Sequence, residues 1–73
     1  MSSLGERIKQ LRNDNGIMQK ELSESIGVAP RTLRGYEGGT REPNIEKLIA
    51  IADYFDVSLD YLVGRTDNPK MNK

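Results

Sequence analysis

The stretch MQKELSESIGVAPRTLRGYE, residues 18–37, decides how this chain is read. Leu22 and Ile26 lie four apart, on one face of a helix that starts at about Met18 or Gln19. Leu33, Tyr36 and Glu37 share a face of a second helix, expected from about Pro30 to Glu37. Gly27 falls between the two, where a chain leaving a helix favours positive φ. Pro30 occupies the expected first turn of the second helix, where its missing N–H leaves no hydrogen bond unmade. Met18 is a poor N-cap, because a thioether accepts hydrogen bonds weakly. Glu21 still favours the start of its helix through the macrodipole.

Working outward, Ser3-Leu4-Gly5-Glu6 fits a capping box that opens an earlier helix. That helix is expected to run to about Asn15, with Leu4, Ile8 and Leu11 as its inward stripe and Gly16 closing it. On the other side, Gly38, Gly39 and Thr40 read as a loop. Asn44 is a candidate N-cap for an amphipathic helix whose inward stripe is read as Ile45, Leu48, Ile49, Ala52 and Phe55. Asp56-Val57-Ser58 breaks it and caps a last short helix, Leu59 to Val63, ended by Gly64. The polar tail from Arg65 to Lys73, with Asn68-Pro69, is expected to be disordered. No repeat and no strand pattern is present. The expectation is an all-α fold, a compact five-helix bundle forming one domain over 4–63, with a flexible tail over 64–73.

Composition narrows the function classes. A chain of 73 residues buries only about 60% of its unfolded surface, so stability rests on helix packing, helped by dimerisation. The absence of Cys and His removes disulfides, the usual zinc sites, Cys nucleophiles, His bases and Ser-His-Asp triads. Asp53, Asp56 and Asp60 sit in no ligand-rich loop, and Gly38-Gly39 lies in no phosphate-loop pattern. Neither an enzyme nor a metal or other cofactor is expected. No apolar run is long enough to span a membrane and no secretory leader is seen, which places the chain in the cytoplasm. The net charge of zero and pI near 6.2 count against a nucleic-acid binder. The distribution softens this: residues 1–41 carry seven basic and five acidic side chains, and residues 42–73 carry four and six.

Two charges sit at inward positions. Glu37 lies one turn after Leu33, and Arg12 one turn after Ile8. A buried charge is costly unless paired, so Arg12 and Glu37 are expected to pair, tying the first helix to the end of the third. The alternative is that both reach solvent at a helix edge. The Tyr36 spacing points to core packing rather than base stacking.

Two helices joined by a Gly-containing turn make the layout of a helix-turn-helix, whose second helix enters the DNA major groove. Ala29, Pro30, Arg31, Arg34 and Gly35 lie on the side of the third helix away from Leu33. Arg31 is the best candidate base reader, because a guanidinium bonds guanine O6 and N7 together. Arg34 reaches a base or a phosphate, and Ala29 and the Pro30 ring suit a thymine methyl. Gln19 suits a phosphate or an adenine edge, and Thr32, Thr40 and Arg41 suit phosphates. For each of these side chains a merely solvated surface role is the alternative.

These residues resemble a known family. Ile8-x-x-Leu11-Arg12, Gln19-x-x-Leu22, Ile26-Gly27-Val28, Leu33, Tyr36-Glu37-x-Gly39, Glu42-Pro43, Leu48-x-x-Ile51-Ala52 and Val57-Ser58-Leu59-Asp60-Tyr61-Leu62 are similar to the phage repressor and Cro-type, lambda-repressor-like helix-turn-helix DNA-binding domains. The resemblance covers about Leu4 to Leu62. It implies a five-helix bundle and a bacterial, phage or mobile-element regulator, most simply a repressor that binds a palindromic double-stranded DNA operator as a homodimer. It implies nucleoid association when bound, and dimer contacts from the last helix, here Leu59, Tyr61 and Leu62. The inward Arg and Glu commonly pair in such domains. The chain departs from the pattern at Met18, Ser23, Pro30, Gly35 and Gly38, which leaves Arg31 and Arg34 with more of the discrimination. With no sensor domain expected in this length, control is expected from concentration, a regulatory protein partner or proteolysis. The alternative function is a protein-interaction module on the same fold, antitoxin-like or anti-repressor.

Overall fold

Five positions with no solvent exposure, one from each helix, meet at the centre of the molecule: Ile8, Leu22, Leu33, Ile51 and Leu62. The computed structural model describes residues 4–68. Its helices are α1 (Leu4–Asp14), α2 (Gln19–Ile26), α3 (Pro30–Gly38), α4 (Ile45–Phe55) and α5 (Leu59–Leu62), with no strand among the described residues. Leu11, Ile26, Tyr36, Ala52 and Val57 close the core around the central five. Burying a large aliphatic side chain is worth about 1.5–3 kcal/mol, so no helix of this small bundle is dispensable.

Local sequence sets where each helix stops. Gly27 takes φ 76°, and the N–H of Val28 reaches back to the Ser23 carbonyl at 2.9 Å, turning the chain sharply between α2 and α3. Asp56 ends α4 at φ 56°, a conformation short polar side chains tolerate better than most. Asn44 caps α4 by accepting the Lys47 N–H at 2.9 Å, and Ser58 caps α5 by accepting that of Tyr61 at 3.0 Å. Met18 offers α2 no side-chain cap. The α2–α3 pair therefore has its turn encoded strongly and its entry weakly.

Several expectations need correction. Helix α1 ends at Asp14, one residue short of the expected end, and α3 continues through Gly38, so the following loop begins at Gly39. Two of the five positions expected on the inward stripe of α4 face solvent, whereas Leu48, Ala52 and Phe55 pack on the core as expected. Ile45 and Ile49 are exposed, at 70% and 44%, while Ile51, outside the expected stripe, is fully buried. All of α4 except Glu46, Lys47 and Asp53 is apolar or aromatic, so spacing alone leaves its stripe undetermined. The expected disorder from Arg65 is also corrected for residues 65–68. The Arg65 N–H bonds the Asp60 carbonyl at 2.8 Å, and Asn68 N–H bonds Thr66 Oγ1 at 3.1 Å. The Ser3 half of the capping box and residues 69–73 lie outside the described residues.

Gly5 explains how α1 and α3 come so close. It is buried, and a Cβ built there would fall against the backbone carbonyl oxygens of Tyr36 and Glu37. Elsewhere Lys47 Nζ donates to the Ile26 carbonyl at 2.9 Å, joining α4 to the negative end of α2. The Arg7 guanidinium lies 4.1 Å from the centre of the Tyr61 ring, joining α1 to α5. Ser23 is fully buried, and its hydroxyl donates to the Lys20 carbonyl at 2.8 Å, so the buried polar group is satisfied.

Candidate nucleic-acid interface

Helix α3 is held from its inner side by one carboxylate. Glu37 Oε2 accepts from Arg12 Nε at 2.8 Å, and Oε1 accepts from Arg12 Nη2 at 3.1 Å. The Glu37 and Arg12 side chains are 4% and 12% exposed. Arg12 Nη1 donates to the Ile17 carbonyl at 3.0 Å, and Gln19 Nε2 donates to Glu37 Oε1 at 3.1 Å. A two-pronged guanidinium–carboxylate contact fixes orientation as well as distance. The network spans α1, the α1–α2 connection, α2 and α3, and so sets how α3 sits against the two helices before it.

Gln19, read from sequence as a phosphate or adenine contact, is thus also part of this scaffold. A carboxylate only accepts, so the amide nitrogen must face Glu37. That leaves Oε1 and one N–H of Gln19 for another partner. Sequence periodicity gave no sign of this third member, because Gln19 carries no charge and begins its helix.

The outer side of α3 is different. At 100° per residue, Arg31, Arg34, Gly35 and Gly38 point away from the buried Leu33 and Tyr36. Arg31, Arg34 and Arg41 are exposed, and no described residue hydrogen-bonds to or ion-pairs with their guanidinium groups. Ala29 and Pro30 are exposed at the start of α3, as its N-cap and first residue. Thr32 is half-buried at the edge of this face. Thr40 and Arg41 follow α3 closely, because their N–H groups both reach the Gly35 carbonyl, at 3.0 and 3.1 Å. The eight residues read from sequence as DNA contacts therefore lie on α3, at its two ends and at the start of α2. Three unpaired cations dominate that surface, and no carboxylate answers them.

Of the residues expected at a dimer contact, Leu59 is 37% exposed and Tyr61 is half-buried beneath Arg7. Leu62 is corrected: it is fully buried in the core and has no surface to offer. A four-residue helix capped at both ends left its phase open to sequence reading. Val63, 40% exposed, is the neighbouring apolar side chain that faces solvent. Among the described residues no group of three or more Asp or Glu is placed to hold a metal ion, and no helix is long and apolar enough to cross a membrane.

The helix-turn-helix family model matches residues 8–62. YobD of Bacillus subtilis, described as an uncharacterized HTH-type transcriptional regulator, is 39% identical over 64 residues, covering 88% of this chain and 57% of YobD. ImmR of Bacillus subtilis, an HTH-type transcriptional regulator, is 35% identical over 71 residues, covering 97% of this chain and 56% of ImmR. The chain thus spans little more than half the length of either relative. Among solved structures, that of the P22 c2 repressor protein with a synthetic operator superposes with a TM-score of 0.81 at 33% identity, covering 86% of this chain and 96% of that one.

Proposed function

Because the chain belongs to the helix-turn-helix family, we propose that it is a sequence-specific double-stranded DNA-binding transcriptional regulator, a repressor that occupies a palindromic operator. The observation that carries the reading is the outer face of α3. Three guanidinium groups stand there unpaired in a chain of zero net charge, although eleven acidic residues are present to pair with them. A charged face left uncompensated suits an anionic partner, and a helix of this exposure fits the major groove. Arg31 reads a guanine. Arg34 reads a base or holds a phosphate. Ala29 and Pro30 meet thymine methyls, and Gln19, Thr32 and Thr40 hold the backbone.

The working form on DNA is a homodimer with half-sites about 34–36 Å apart, as two recognition helices one turn apart require. Leu59 and Tyr61 of α5, with Val63 just after it, supply the contact. The acting domain is residues 4–63, in the cytoplasm, and blocking access to the operator is its effect.

The test is selection from a random duplex library at about 100 mM salt, where non-specific attraction is already weakened. A two-fold symmetric consensus is expected. Arg31→Ala should then lose about 1–3 kcal/mol on that site and relax preference at one position in each half. Folded protein that enriches no sequence overturns the reading.

A second reading has one observation in its favour. Ile45 and Ile49, one turn apart on α4, are both exposed, Ile45 at 70%. A protein-interaction module would use such a face, and it predicts capture of a protein partner with no duplex affinity.

A further inference from the structure

Gly35 is buried, although it belongs to the outward face of α3, where Arg31 and Arg34 are exposed. The cause is Arg41. A Cβ built on Gly35 would stand 3.0, 3.1 and 3.2 Å from Cγ, Cδ and Cβ of Arg41. The aliphatic stem of Arg41 therefore lies where a side chain of residue 35 would begin. The loop that brings it there is fixed. The Gly35 carbonyl accepts the N–H groups of Gly39, Thr40 and Arg41, the last two at 3.0 and 3.1 Å. Thr40 Oγ1 also approaches that carbonyl, at 3.5 Å. The backbone of Arg41 is thus anchored on one residue of α3, and its stem packs over that residue. The guanidinium begins one bond beyond Cδ, and no described residue pairs with it.

We infer that Arg41 supplies the base-reading side chain that Gly35 lacks, and that it recognises a guanine next to the base read by Arg31. Arg31 and Gly35 are neighbours on the helix surface, four residues apart. A guanidinium delivered over Gly35 therefore stands beside that of Arg31, facing the same groove. A contact to phosphate needs only a positive charge within reach. A contact to a base edge needs a planar fork presented at one place, and a stem packed over Gly35 from a fixed backbone provides that with less ordering on binding. The inference rests on the duplex-binding function proposed above, and it moves Arg41 from the phosphate contacts to the base readers.

The experiment determines the selected duplex consensus for the wild type, Arg41→Ala and Arg41→Lys, with folding checked by circular dichroism. Wild-type protein should give a consensus. Arg41→Ala should flatten preference at one position per half-site, with a roughly ten- to hundredfold loss of discrimination there. Arg41→Lys keeps the charge and most of the stem but loses the fork. It should bind DNA with a similar dependence on salt and yet leave that position flat. If Arg41→Lys restores the wild-type consensus, or Arg41→Ala weakens all sequences equally, Arg41 is a phosphate contact and the inference falls alone. If the wild type enriches no sequence, the duplex-binding function falls and takes the inference with it.

Discussion

The two sides of α3 treat the same chemical group in opposite ways. On the inner side the Arg12 side chain is 12% exposed, and its guanidinium donates to Glu37 twice and to the Ile17 carbonyl once. On the outer side Arg31, Arg34 and Arg41 are exposed and paired with nothing described. The inner arginine is tied to the fold, and the outer ones are free to meet the duplex proposed as their partner. Glycine divides in the same way. Gly5, on the inner side, is hemmed in by carbonyl oxygens of α3, whereas Gly35, on the outer side, is covered by a flexible stem. Inside, side chains are held by backbone contact and paired charge; outside, the backbone of Arg41 is held but its side chain is paired with nothing described. The inner side holds α3 still so that the outer side can present a fixed pattern.

The hardest test of that contrast is Glu37→Ala. It strands a mostly buried guanidinium and removes the acceptor of Gln19. Losing one partner of a buried pair costs about 3–5 kcal/mol, and the residual exposure of Arg12 places the expectation near the lower end. Urea unfolding measures it. A loss below about 1 kcal/mol would show that the inner network does not hold the fold. The double variant Arg12→Met with Glu37→Leu sharpens the point: it should recover most of the loss, because an apolar pair leaves no charge stranded.

Gly5→Ala comes next. The added methyl meets backbone, which cannot swing aside, so α1 and α3 must separate. Overpacking of this kind costs about 1–3 kcal/mol, to be read as a lowered thermal midpoint. Operator affinity, measured well below that midpoint, should fall as well, since α3 loses its fixed seat.

Arg7 is an intermediate case, held by a ring rather than a carboxylate. Its guanidinium lies over Tyr61, its Nε is buried without a hydrogen-bond partner, and Asp67, 3.8 Å away, is fully exposed. Tyr61→Leu should lower stability by about 1–2 kcal/mol, the worth of a cation–π contact whose cation is largely buried, as measured by urea unfolding. A larger loss would place this contact with the inner network.

How much of this was legible follows the same division. The Arg12–Glu37 pair could be anticipated because two charges break an apolar stripe on different helices, and each demands a partner. The five helices were legible from spacing and caps, and α3 from Pro30, Leu33 and Tyr36. What could not be read depends on the approach of one helix to another. The burial of Gly5 is set by where α3 crosses α1. The stripe of α4 is ambiguous when nearly every residue is apolar, so its spacing reads Ile45 and Ile49 as inward and misses Ile51. Leu62 was assigned to a contact surface by resemblance, and the closing of α5 onto the core places it inside. Gly35 showed in sequence only as a missing side chain. That Arg41 covers it depends on three N–H groups converging on one carbonyl, which no spacing reveals.

Gly35→Ala carries the smallest expected change in stability. Alanine favours a helix over glycine by about 1 kcal/mol, and the new methyl asks the Arg41 stem to give by a few tenths of an ångström. A flexible stem over an exposed face can yield, where the carbonyls around Gly5 cannot. Stability should therefore hold or rise by less than about 1 kcal/mol. In the selected consensus, preference at the Arg41 position should weaken while that at the Arg31 position stays, because only the former guanidinium is displaced. A fall in stability of more than about 1 kcal/mol would mean that the outer glycine is packed as rigidly as the inner one. The two sides of α3 would then differ in charge alone. An unchanged fold with a changed consensus would show that the outer face is built to be altered without disturbing what holds it.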